Sequence, residues 1–248
     1  MGHKVKELRE GLDEIAVERS KIHLTELVDN RLVGRIKREM IDSLLRTSNV
    51  IGRESDKEIL VNKFLLDPIM GGDISMIPIV GIGGLGKTTL AKVLYNDERV
   101  DKHFDVKIWV CVSESVEKEQ IIVSMLKSLA LQNRGNLDPD QLQKDLLEGG
   151  AAGSKDIVTT CWISVATTIG TVSSYDLKGL SHEQCFSLFM NLAFRKREED
   201  FHPHLKTIGY DIVKKCGGLP LAVKTLGTLL YLKTDYERYW EFVRDNEI

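Results

Sequence analysis

The chain has 248 residues, 42% of them hydrophobic, enough to bury one full core and a smaller second one. Its 34 basic and 37 acidic residues are spread along the sequence and leave a net charge of −3, so no basic field marks nucleic acid as a partner. No apolar run approaches the length that spans a bilayer, and the start Met1-Gly-His-Lys-Val-Lys-Glu7 is charged where a signal peptide turns apolar. Lys6 also stands where a myristoylation signal wants Ser or Thr, so the expectation is a cytoplasmic chain without a membrane partner.

In chain order, residues 3–24 come first and place Val5, Leu8, Leu12, Ile15 and Ile22 at helical spacing among Lys, Arg and Glu. One helix cannot bury its own stripe, so this one packs on the following domain, on residues 36–46, or on another chain. After Val50-Ile-Gly-Arg53-Glu54 a helical stretch runs to Leu66, closed by Pro68 and the pair Gly71-Gly72. A short apolar run, Ser75-Met-Ile-Pro-Ile-Val80, then leads into Gly81-Ile-Gly-Gly-Leu-Gly-Lys-Thr-Thr89.

That segment is a complete G-x-x-x-x-G-K-[ST] phosphate-binding loop, expected by chance in about 1 in 100 chains of this length. Gly81, Gly83, Gly84 and Gly86 let the backbone curl so that successive N–H groups point at an anion. Lys87 brings a point charge to the terminal phosphates, and the Thr88 hydroxyl is the expected protein ligand of a magnesium shell. Residues 88–95 have helical spacing, so a helix N-terminus adds its partial positive charge at the same point.

Val106-Lys-Ile-Trp-Val-Cys-Val112 reads as a second strand, which with the intervening helix gives βαβ grammar and a parallel sheet. Helices over 117–131 and 139–147, a glycine-rich turn over 149–154, a strand over 156–160 and another over 175–180 follow. From Ser181 the pattern is helical: 182–195, 204–216, 220–232 and 235–244. At Lys214-Lys-Cys-Gly217-Gly218-Leu-Pro220, basic residues and glycine stop one helix and proline starts the next. Cys111, Cys161, Cys185 and Cys216 make neither a C-x-x-C pair nor a disulfide framework, and His202-Pro-His204 lacks a third metal ligand.

The ordered set Val50-Ile-Gly-Arg53-Glu54, Gly81 to Thr89, Phe104 to Ser113, Gly153-Ser-Lys-Asp-Ile-Val-Thr-Thr160 and Cys216-Gly-Gly-Leu-Pro-Leu-Ala222 resembles the NB-ARC domain of plant coiled-coil-type NLR disease-resistance proteins. Lys4 to Ala16 is similar to the last helix of that family's coiled-coil domain. The resemblance implies three parts: a coiled-coil remnant and linker over 1–46, a P-loop α/β domain over 47–180, and a small helical module, ARC1-like, over 181–248.

It also implies a switch that holds ADP at rest and exchanges it for ATP. Gly83, Gly84, Gly86, Lys87, Thr88 and Thr89 would hold the phosphates. Val50, Ile51 and Arg53 would lie at the adenine, with Pro220 packing on base and sugar.

Two of the family's features have no counterpart in the sequence. The strand ending in paired aspartates, the Walker B element, is expected between the runs at 106–112 and 156–160, where only Glu148-Gly-Gly-Ala-Ala152 separates Leu147 from Gly153. Of the acids weighed as substitutes, Asp73, Asp105 and Asp156 precede their strands, at the wrong edge of an open sheet, and Glu114 reads as a loop acid. The family's Thr-Thr-Arg, whose arginine senses the terminal phosphate, reads Thr159-Thr160-Cys161, and a thiol does not supply that charge.

The chain also stops at Ile248, before the winged-helix region, so the resemblance is to part of such a receptor. The expectation is an α/β P-loop protein of plant defence, one strand short, that binds ADP or ATP, holds Mg2+ weakly and hydrolyses little. The alternative is an interaction fragment that engages other NLR proteins through its N-terminal helix. The run 106–112 is expected either to pair with 156–160 directly or to form a bare sheet edge.

Overall fold

The computed structural model describes residues 50–67, 74–112, 121, 123–125, 128, 153–194, 203–231 and 236–246. The expected helices over 3–24 and 139–147, the stretch 36–46, His202 and the boundary near residue 46 lie outside the described residues. The chain divides into two compact units, Met1–Asp42 with Trp109–Ser128 and Ser43–Ile108 with Leu129–Ile248. Of the first, the described residues are 109–112, which form no strand, and 121, 123–125 and 128, which are helical.

The second unit is built on a parallel sheet of three strands in the order β2-β1-β3, with β1 Ile74–Val80, β2 Ser154–Thr160 and β3 Tyr175–Asp176. β1 pairs with β2 along its whole length, from Ile74 opposite Ser154 to Val80 opposite Thr160. It pairs with β3 only at Ile79 and Val80. Pro78 sets where this second ladder begins, and the end of β1 at Val80 sets where it stops. Val80 O accepts from Leu177 N at 2.8 Å and Met76 O from Thr171 N at 3.2 Å, so the even-numbered residues of β1 direct their backbone groups toward the β3 side. The N–H that proline lacks falls on that side, and the ladder begins beyond it.

The helices of the α/β part are α1 Glu54–Ile59, continued by a π-helical segment Leu60–Leu65, then α2 Lys87–Tyr95, α3 Glu98–His103 and α4 Ile163–Ile169. Leu60, Phe64, Ile77, Ile79, Leu90 and Leu94 are buried together with Leu177, so the π-helical segment and α2 close a common core with β1. The π-helical segment falls within the helical stretch expected up to Leu66, while α3 and α4 go beyond the expected pattern. α4 buries only Ala166, while Ile163 and Val165 are exposed, so its apolar residues carry no periodic signal.

Asp97 caps α3, its carboxylate accepting from Arg99 N at 2.9 Å and pairing with the Arg99 guanidinium at 3.0 Å and with Lys57 at 3.2 Å. The Arg99 hydrogen bonds hold the Asp97 carboxyl well below the usual carboxylate range. The depressed value makes the charged form stabilising above the unfolded-state pKa of about 3.9, and that stabilisation is lost as pH falls through the folded value. Asp97→Asn keeps a good cap and removes the charge. We expect it to cost about 1 kcal/mol at pH 7, small because solvent screens the exposed Arg99, with the gap from wild type closing below about pH 4 in urea titrations.

The run 106–112 is not a strand. This corrects both expectations: the run neither pairs with β2 nor forms a sheet edge. Strand composition is realised only where a ladder exists to join, and the resemblance places between this run and β2 one strand for which the sequence reading finds no counterpart. Lys107 fixes the start of the run by other means. Its ammonium donates to Tyr95 O at 2.7 Å, lies 4.7 Å from the Tyr95 ring centroid and pairs with Asp101 at 2.8 Å, a cation seated at the carboxyl end of α2.

The remaining helices follow the expected pattern within a few residues: α5 His182–Ala193, α6 Pro203–Lys215, α7 Pro220–Tyr231 and α8 Tyr236–Asp245. Ser181 and Gln184 form a reciprocal capping box that starts α5. Leu188, Phe189, Ile208, Ile212, Val223 and Trp240 belong to their shared core. Gly227 lets α7 approach α5 closely, since a Cβ there would stand 3.0 Å from Leu192 Cβ. The four cysteines are free thiols; Cys185 and Cys216 are buried, and burial pushes Cys216 up to about 11. Among the described residues no helix is long and apolar enough to cross a membrane.

Candidate functional site

The site lies at the carboxyl end of β1, where the chain leaves the sheet at Val80 and enters α2 at Lys87. Gly84 and Gly86 both have positive φ, +80° and +89°, and Gly86 is the left-handed N-cap of α2. Only glycine takes these angles without strain, so two of the motif's glycines are required by the path of the backbone. Gly81 is required by space: a Cβ there would stand 2.8 Å from Leu85 Cδ1 and 3.2 Å from Leu177 O. Gly83 has open space around it.

Lys87 is buried to 9% exposure. Its ammonium donates to Gly81 O at 2.8 Å and Ile82 O at 3.0 Å, which folds the side chain back over the loop, and contacts Cys161 Sγ at 3.1 Å. Cys161 follows the last residue of β2, at the carboxyl edge of the sheet, so the residue that replaces the expected arginine stands beside the phosphate-loop lysine. Thr88 is exposed in the first turn of α2 and Thr89 is half-buried.

Two donors from outside the loop hold its carbonyls. Gly84 O accepts from Leu221 N at 3.2 Å, and Leu85 O accepts from Arg53 Nη2 at 2.9 Å. Arg53 is only 6% exposed, and its other terminal nitrogen donates to Asp56 Oδ2 at 2.9 Å. The second oxygen of Asp56 accepts from Tyr175 Oη at 2.6 Å. Burial and the hydrogen bond to Asp56 push the Tyr175 phenol up to about 12.

Of the expected adenine residues, Arg53 and the turn around Pro220 touch the same loop. Ile51 packs on the helical core, Gly52 passes Leu180 and Gln184 at positive φ, and Arg53 reaches the loop itself. Pro220, half-buried at the start of α7, sits between Leu219 and Leu221, the two side chains that a Cβ on Gly84 would meet. Arg53 and the turn that carries Pro220 thus both reach the loop, although 167 positions separate the two residues. Sequence reasoning missed Asp56, Tyr175 and the contact of Cys161 with Lys87. A possible signal for Asp56 is its position three residues after Arg53 in a helix; none exists for Tyr175, which lies 119 residues from Asp56.

The donor set suits phosphate better than a metal ion. Thr88 offers one hydroxyl, and Cys161 is a soft ligand unsuited to Mg2+. Asp176, which the register places beside Val80, pairs with Lys178. Among the described residues no three His, Cys, Asp or Glu side chains stand together as a metal site.

A family model for the NB-ARC domain matches residues 54–149. The chain is similar over all of its length to the disease resistance protein RGA2 of Solanum bulbocastanum, with 38% identity, and covers 28% of that protein. With RGA4 of the same species the identity is 37%, again over the whole chain and 28% of the relative. With the disease resistance protein RPP13 of Arabidopsis thaliana it is 31%, over 80% of the chain and 28% of the relative. The chain thus spans little more than a quarter of the length of these relatives. The match to RGA2 extends over 280 residues against 248 in the chain, so 32 aligned positions have no counterpart in it.

Proposed function

The chain carries an NB-ARC domain and belongs to the same family as these plant disease-resistance proteins, and from that premise we propose that it retains ADP, accepts ATP, and hydrolyses little or none in plant defence signalling. The observation that carries this reading is the loop itself: positive-φ glycines, a buried lysine folded over the loop and the N-terminus of a nine-residue helix stand together in one short segment. Backbone donors, an ammonium and a helix dipole together address the β-phosphate of ADP without a metal ion. Half-buried Val50, Ile51 and Pro220, with buried Arg53 beside them, supply the surface for base and sugar.

Turnover asks for more. Phosphoryl transfer relies on metal and positioned charge, and one arginine alone contributes on the order of 10³ to 10⁵ in rate. Three observations support its loss: Cys161 occupies the arginine's place beside Lys87, the family match stops at Gly149, and 32 positions of RGA2 lack a counterpart. Titration calorimetry with ADP is the test. We expect saturable binding that Lys87→Ala weakens on the order of 10- to 100-fold, the worth of one charge-assisted hydrogen bond. Binding that ignores Lys87, or none at all, would overturn the reading and leave the interaction fragment acting through its N-terminal helix.

A further inference from the structure

The Tyr175–Asp56–Arg53 chain of contacts ends on a backbone carbonyl of the phosphate loop, and that endpoint gives it a function. In a trans peptide the carbonyl and the following N–H point in opposite directions. When Arg53 draws Leu85 O to one side, the Gly86 N–H of the same peptide is turned to the other, as the donor immediately ahead of the first turn of α2. Leu221 N does the same for the preceding peptide by holding Gly84 O, which turns the Leu85 N–H the opposite way. Two of the loop's donors are therefore oriented by groups that lie outside the motif.

Arg53 performs this only if its guanidinium is itself held. A buried arginine has several rotatable bonds, and two of its terminal donors are committed here at 2.9 Å each, one to Leu85 O and one to Asp56. Asp56 in turn is anchored by the Tyr175 hydroxyl on β3, whose backbone is registered to Ile79 of the strand that feeds the loop. The relay thus starts and ends on the same strand-loop unit, and a displacement of Arg53 would have to break bonds at both ends.

We propose that Tyr175 and Asp56 are positioning residues for nucleoside diphosphate binding: through Arg53 they orient the Leu85–Gly86 peptide, so that Gly86 N–H serves the β-phosphate. The proposal rests on the nucleotide-binding reading above, and it assigns Arg53 a task at the phosphate in place of one limited to the base.

Tyr175→Phe removes a single hydroxyl and keeps the ring. In the intact chain it is expected to weaken ADP binding about 3- to 10-fold, to leave AMP binding, which lacks the β-phosphate, unchanged, and to speed amide hydrogen exchange over residues 84–87 without nucleotide. Combined with Asp56→Ala, it should add no further loss, because the relay is already cut. Equal losses for ADP and AMP, full additivity of the two substitutions, or unchanged exchange would each overturn the proposal. Exchange also separates the two claims. A wild-type chain that binds no ADP refutes the nucleotide reading, whereas the exchange comparison still decides whether Tyr175 orients the loop.

Discussion

Replacing Trp240 by alanine is expected to remove about 3–5 kcal/mol from the stability of the helical part of the chain. The indole is 1% exposed and is the largest fully buried side chain among the described residues. It meets the Phe189 ring edge-on at 5.3 Å and the Phe194 ring at 5.3 Å, and it lies against Gly209, where a Cβ would come within 3.1 Å of the ring. α8 contributes Trp240 and Val243 to the core, so truncation leaves a cavity at the point where α8 docks on α5 and α6. The indole N–H has no hydrogen-bond acceptor among the described residues. Trp240→Phe should therefore cost much less than the alanine variant, because it keeps the aromatic contacts and removes an unsatisfied donor. Urea denaturation followed by circular dichroism checks both, and equal losses for the two variants would show that the ring contacts are not what holds α8.

The second large effect is expected at the turn between α6 and α7. Gly218 has φ +77°, a Cβ there would stand 2.9 Å from Leu180 O, and its own carbonyl accepts from Leu180 N at 2.9 Å. A β-branched residue in this conformation costs about 1–2 kcal/mol for the backbone alone, and losing the Leu180 bond adds about 1 kcal/mol. Gly218→Val is therefore expected to destabilise by roughly 2–3 kcal/mol and to weaken ADP binding as well, because the same turn delivers Leu219, Pro220 and Leu221 to the loop. Gly217 is the control: its φ is +55° but nothing lies within 4 Å of a Cβ, so Gly217→Ala should cost about 1 kcal/mol or less and spare ADP. Equal effects at the two positions would mean that the close approach to Leu180 does not matter.

What the sequence made legible was what local chemistry decides. The phosphate loop, the helix that follows it and the helix stop and start around Gly217, Gly218 and Pro220 all appear where residue type and spacing put them. The two strands beside β1 were legible too, though β3 ends short of the expected 180 because β1 leaves the sheet at Val80 and offers the later residues no strand to pair with. Residues 106–112 went the other way. Their composition is that of a strand, but a strand is completed by its neighbour, and the resemblance puts that neighbour in a segment where the sequence reading finds no counterpart. α4 was hidden because its apolar residues face outward.

The site divides along the same line. Gly84, Gly86 and Lys87 were readable as a motif, whereas the contact of Arg53 with the loop carbonyl of Leu85 was not among the roles the resemblance implied. The groups that hold Arg53 were not readable, because Tyr175 and Asp56 meet across 119 residues and obey no spacing rule. Asp176 shows the same limit: only the register of β3 against Val80 brings it to the carboxyl edge, where its pairing with Lys178 could then be seen.

The central claim is retention without turnover, and the direct measurement is phosphate release from ATP by the purified chain with Mg2+ present, beside ADP binding by the same preparation and by Lys87→Ala. The account predicts ADP binding that depends on Lys87, with phosphate release no faster than that of the Lys87→Ala control. Steady, Lys87-dependent release at the rate of ordinary enzymes, about 1 s⁻¹ or faster, would contradict it.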